Sequence, residues 1–174
     1  MAITAHNLFN KATDWKMFTI FTMKKNSRPF SDGEKARLFD LLEKYASTEH
    51  GEWMSEIDYH GCDYNWCDSM TMDNGILGAR PLFGKDIYLV PEPSGNGSDI
   101  AVGTWIESVA PVAIHELRHL WQQKKHGKVM WSILRLPEVI PFLYGKVFIE
   151  KDAFAVQEEA EKFIAMLPSN ATRS

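Results

Sequence analysis

"VAIHELRHLWQ", residues Val112 to Gln122, sets two histidines four positions apart with a glutamate directly after the first. On a helix, residues i and i+4 project from the same face, so His115 and His119 can offer imidazole nitrogens to one Zn²⁺. Glu116 stands one position round, where its carboxylate reaches a metal-bound water without having to bind the metal, as a general base requires. The competing reading is a surface helix carrying incidental histidines. With six His and thirteen Glu in 174 residues, the pattern arises by chance roughly 0.015 times in such a chain. Context also favours the metal. Val109, Val112, Ala113, Leu117, Leu120 and Trp121 form an apolar arc that faces a core, and the histidines border it. Imidazoles buried there need partners, and a shared metal gives one to both.

Working outward, this helix is expected from about Ser108, as N-cap, to His126, with Pro111 tolerated in the first turn and Gly127 as the stop. Lys124, Lys125 and Lys128 read as cations at a helix C-terminus. The following "RLPEVIPFLYGK" is interrupted by Pro137, Pro141 and Gly145. A last helix runs from near Phe148 to Pro168. On its far part, Glu158, Glu159 and Glu161 read as a solvated face.

Upstream, residues 1–50 are expected to be largely helical, although "MFTIFTM" alternates enough to suit a strand. Ser31 followed by Glu34 is a capping-box pattern, and Ala36, Leu38, Phe39, Leu41, Leu42 and Tyr45 give the helix behind it an apolar face. Residues 52–90 change character. "EWMSEIDYH", "WCDSMTMDN" and "KDIYLVP" are short β-leaning runs, broken at Asp73–Gly75, Pro81 and Gly84, and they predict a small antiparallel sheet. "PEPSGNGSD", from Pro91 to Asp99, reads as a flexible loop able to act as a lid. The whole reads as one α+β domain, with the sheet early and helices 108–168 carrying the chemistry.

Composition narrows the class further. A hydrophobic fraction of 45%, a charged fraction of 24% and a net charge of −4 suit a globular protein and argue against a nucleic-acid surface. No signal-type or bilayer-length apolar segment stands out, which predicts a cytoplasmic protein without membrane attachment. Cys62 and Cys67 lack the spacing of a zinc knuckle and read as plain thiols.

A catalytic zinc site takes three protein ligands plus water. A metzincin would need Gly at 122 and His at 125; the chain has Gln122 and Lys125, with His126 one place out of register. His115-Glu116-x-x-His119, followed on a later helix by Glu150-x-x-Ala153, resembles instead the gluzincin branch of the zincin metallopeptidases. "HELRHLWQ" is also similar to short zincin-like proteins encoded by bacteriophages. The resemblance spans about residues 85–160. It implies a zincin-like fold in which "DIYLVP" is an edge strand that pairs with extended substrate.

The resemblance implies zinc held by His115, His119 and Glu150, with Asp152 as the alternative ligand or a partner behind the ligands. It also implies Glu116 as base and a peptide or protein as substrate, in a host cytoplasm if the chain is phage-encoded. Larger gluzincins carry an acidic residue four positions after the ligand, where this chain has Phe154. Peptide deformylases use an upstream cysteine as third ligand, which makes Cys67 a rival, but their glycine-rich motif is missing. Tyr144 is the candidate donor to the oxyanion, with His126 as alternative. Arg118 is expected to point away from the histidines, towards solvent or a salt-bridge partner. A reading of another class is a non-catalytic zincin-like module whose zinc staples two helices and whose surface binds a partner.

Overall fold

The computed structural model describes residues 27–67, 78–80, 84–90, 104–135 and 148–168. Within them the chain is α+β. In order come β1 (Ser27–Pro29), α1 (Asp32–Ala46), a 3-10 helix (Glu49–Glu56), β2 (Asp63–Cys67), β3 (Gly78–Ala79), β4 (Asp86–Leu89), α2 (Thr104–His126), α3 (Lys128–Arg135) and α4 (Phe148–Met166). The expectations for residues 1–26, for the loop 91–99 and for the proline-broken stretch 136–147 lie outside the described residues.

The capping box forms as the sequence predicts. The Glu34 N–H donates to Ser31 Oγ and the Ser31 N–H to the Glu34 carboxylate, so two orphan donors at the start of α1 are satisfied reciprocally. Leu38, Leu41, Leu42 and Tyr45 are buried and Phe39 packs against them, whereas Ala36 is exposed. A methyl group on the outer side of the helix costs little, and the apolar face is narrower than expected.

The sheet has the order β1-β2-β4-β3 and is mixed, correcting the antiparallel expectation. β1 and β2 are antiparallel, β2 and β4 parallel, and β3 and β4 antiparallel. β1 comes from the region expected to be helical, and its Pro29 sits where an outer strand has no ladder hydrogen bond to lose. β4 is an interior strand, not an edge: Ile87, Tyr88 and Leu89 are all buried, as for a strand covered on both faces. The outermost strand on that side is β3. "EWMSEIDYH" is also corrected, because Glu49–Glu56 winds into a 3-10 helix rather than a strand. Gly51 explains part of this. An added Cβ there would lie 2.0 Å from the Tyr45 carbonyl oxygen, so the chain turns back tightly against the end of α1, and Met54 drops into the core.

Helix α2 begins at Thr104, four residues before the expected cap. Pro111 therefore lies in the helix interior, where its missing N–H leaves one i→i−4 bond unmade. Ser108 does not cap; its hydroxyl donates to the Trp105 carbonyl. The stop is as expected, with Gly127 at φ 76°, in the left-handed region that favours glycine. There the chain turns and α3 starts at once, returning Trp131 to full burial. Val109, Val112, Ala113 and Leu117 face the core, and so do Ile106, Ala110 and Ile114 on the flanks. One buried cluster joins α1, the sheet, α2 and the α4 residues Val156 and Ala160, with α2 at its centre. No described helix is long and apolar enough to cross a membrane.

Candidate metal centre

His115 and His119 project from the same side of α2, with ring centroids 4.8 Å apart and planes at 87°. Glu150, the third residue of α4, faces them. Its Oε2 lies 3.5 Å from His115 Nε2 and its Oε1 3.4 Å from His119 Nε2. The three residues are 5%, 2% and 0% exposed, and one donor atom from each lies within 4.8 Å of the others.

The spacing tests whether a metal fits. At 3.4–3.5 Å the contacts are longer than well-formed hydrogen bonds, and both Glu150 oxygens are buried without a hydrogen-bond partner among the described residues. Two ligand atoms each about 2.0–2.1 Å from a tetrahedral ion lie about 3.4 Å apart. Buried carboxylate oxygens want a cation or a donor, and a divalent ion between the three side chains supplies one. Burial by itself raises the Glu150 carboxyl pKa, but the two imidazoles outweigh it and hold the group well below the usual carboxylate range. Two nitrogens and one carboxylate oxygen, all buried, can thus hold a metal ion.

Asp152 takes no place in this donor set. It faces Arg118, whose Nε and Nη2 donate to its two oxygens at 2.7 and 3.0 Å. It also accepts from Gln122 Nε2 at 2.7 Å. Burial raises the Asp152 pKa, yet the hydrogen bonds from Arg118 and Gln122 bring it below its ordinary value. Gln122 was without a role in the sequence reading. Its Nε2 also donates to the Ile149 carbonyl at 2.9 Å, and its Oε1 lies 2.9 Å from His119 Nδ1. Arg118 points away from the histidines as expected, but it is not a solvent residue: its side chain is 13% exposed. Of the two expected alternatives the salt bridge is the one found, and no local pattern announces that its acid is Asp152, 34 positions on.

His115 lacks an equivalent partner. Its Nδ1 is buried with no hydrogen-bond partner among the described residues, and the ring of Phe154 rests against it. Trp131 of α3 packs its ring 5.7 Å from that of His119. Glu116 is 6% exposed. Close above it runs β3, where a Cβ on Gly78 would come within 2.4 Å of Val112 Cγ1 and 3.4 Å of Glu116 Oε1. The sequence reading passed over Gly78, whose signal was an isolated glycine in a strand-like stretch, a mark of close backbone approach.

The remaining candidates separate clearly. Tyr144 lies outside the described residues. His126 is exposed at the end of α2, about 10 Å along the helix axis from His119, and does not approach the donor set. Cys62 and Cys67 are buried and in no disulfide, and burial pushes the Cys62 thiol up to about 11. Among the described residues, the one group of three or more His, Cys, Asp or Glu side chains placed to share an ion is His115, His119 and Glu150. Glu158 and Glu161 are exposed as expected, and Glu159 lies 3.4 Å from His50. Comparison of the chain with protein-family models, with curated proteins and with solved structures finds no match.

Proposed function

We propose that the chain is a zinc-dependent metallopeptidase of zincin-like, gluzincin type, with His115, His119 and Glu150 holding the metal. The observation that carries this reading is the convergence of two α2 imidazoles and the α4 carboxylate into one buried donor set, with Glu116 beside it. A bound zinc ion would lower the pKa of water and polarise a substrate carbonyl. The protein residues do the rest. Glu116 accepts the proton of the attacking water and passes it to the leaving amine. Apolar neighbours such as Val112 keep the carboxylate away from bulk water, which strengthens its electrostatic effect on the reacting atoms. Glu150 would offset part of the charge of a bound ion, while the neutral imidazoles would add donor nitrogens without charge.

An intact glutamate beside the ligands favours catalysis over a stapling role, since a structural site needs no base. The test joins metal content to chemistry. Purified protein is expected to carry about one zinc per chain and to cleave members of a mixed peptide library. Glu116→Gln is expected to keep the zinc and lose about 10²–10⁴-fold in rate. Protein that takes up zinc stoichiometrically but leaves every peptide intact would move the reading to a zinc-stapled interaction module. Protein that takes up no zinc would end both readings.

A further inference from the structure

Arg118 is bound more elaborately than a surface arginine requires. Its guanidinium carbon lies 3.9 Å from the centroid of the Trp121 ring and 5.0 Å from that of Trp53, while its edge makes the two-pronged pair with Asp152. A part-buried ion pair of this kind contributes little net stability against an apolar replacement of similar volume. What it does supply is fixed geometry, because a planar guanidinium packed against two indole rings and paired at two points has one orientation.

That orientation propagates towards the donor set. Asp152 Oδ2, fixed by Arg118, accepts one amide hydrogen of Gln122, and the Ile149 carbonyl accepts from the same nitrogen. Both neighbours are acceptors, so the amide cannot be flipped, and Gln122 must turn its Oε1 to His119. An amide oxygen only accepts. His119 Nδ1 must therefore carry a proton in the 2.9 Å contact, and Nε2 is the nitrogen turned towards Glu150. His115, whose Nδ1 has no hydrogen-bond partner among the described residues, is not fixed in this way.

We propose that Arg118 is a positioning residue for the metal centre, acting through Asp152 and Gln122 to fix the tautomer and ring orientation of His119. The inference rests on the metal-centre reading and adds a chain of residues that touch no metal: Arg118, Asp152, Gln122, then the ligand. Loss of such outer partners costs about 10–100-fold in metal affinity. Because the links lie in series, removing two of them costs no more than removing one.

The experiment measures zinc affinity by competition with a chromogenic chelator, and the visible absorption of the cobalt-substituted protein as a readout of ligand geometry. It compares wild type, Arg118→Met, Asp152→Asn and the double variant, each checked for folding by its metal-free melting temperature. The expected result is a loss of about 10–100-fold in zinc affinity in each single variant. The double variant should show no further loss, and the cobalt spectrum should change in all three. Folded variants with wild-type affinity and an unaltered cobalt spectrum overturn the positioning role, as do losses that simply add. Should Arg118→Met not fold, Asp152→Asn and Gln122→Met carry the same comparison. Wild type that binds neither zinc nor cobalt overturns the metal centre itself, whereas tight wild-type binding with unaffected variants overturns only the role of Arg118.

Discussion

Phe154 rests its ring against that of His115, centroid to centroid 4.7 Å at 63°, one helical turn beyond Glu150. Under the proposed gluzincin reading, this position would hold an acidic residue that orients a histidine. Phe154 is 41% exposed, and the Nδ1 of the ring it packs against is buried without a hydrogen-bond partner among the described residues, so a polar group at 154 has both solvent access and a donor to meet. Phe154→Asp is expected to bind zinc more tightly, by up to about tenfold, because a carboxylate accepting from Nδ1–H raises ligand basicity. Chelator competition measures this; unchanged or weaker binding would mean that the aromatic contact already orients His115.

Asp152 and Glu150 sit two residues apart on α4 and face different partners, Arg118 and Gln122 for the one and the two histidines for the other, which alanine substitution separates. Glu150→Ala removes a donor and is expected to abolish stoichiometric zinc binding. Asp152→Ala is expected to weaken it by about 10–100-fold. Cys67→Ala is expected to leave it unchanged, since Cys67 is not in the donor set. Zinc content after dialysis against a weak chelator reads all three, and a zinc-free Cys67→Ala protein would reassign the third ligand.

Gly78 leaves no room for a side chain between β3 and α2. Gly78→Ala would push its methyl group into Val112 Cγ1 and crowd the Glu116 carboxylate. Overpacking of this kind costs about 1–3 kcal/mol, measurable by urea unfolding. Adding Val112→Ala removes the colliding methyl group, so the double variant is expected to recover part of the loss. A double variant less stable than Gly78→Ala alone would contradict the close approach.

The Arg28 guanidinium, hydrogen-bonded to Glu34 at 2.9 and 3.0 Å, is the main reason the Glu34 carboxyl is lowered to about 2. A carboxyl whose pKa is depressed by folding stabilises the native state above its unfolded value, about 4.3. That contribution fades as pH falls from about 4.3 towards 2. Arg28 is 60% exposed, so screening keeps the ion-pair part below about 1 kcal/mol. Wild type is therefore expected to exceed Glu34→Gln in stability at pH 7, with the gap narrowing by pH 3. A gap that widens on acidification would contradict the assigned direction.

The local features were legible where neighbours in sequence decide them. The Ser31–Glu34 box, the stop at Gly127 and the shared face of His115 and His119 all depend on spacings of a few residues, and each is found. Partnerships across the chain were not. β2 pairs with β4 in parallel, with β3 on the other side of β4, and no alternation of residues encodes that choice. The run "IYLV" did hold a usable signal, since an unbroken apolar strand belongs inside a sheet and not at its rim. For the donor set, Glu150 could be named from its resemblance to a family pattern. Gln122 could not, because its role exists only once Ile149 and Asp152 are brought against it from α4.

The reversal at Gly127 has a consequence for water. If α2 ran straight on through this position, the side chain of Trp131 would be carried past the end of the helix and away from His119. The left-handed turn instead folds α3 back, so an indole roofs one flank of the second histidine. How dry that flank stays is thus set by the backbone angle of a single residue that carries no side chain and lies outside the donor set.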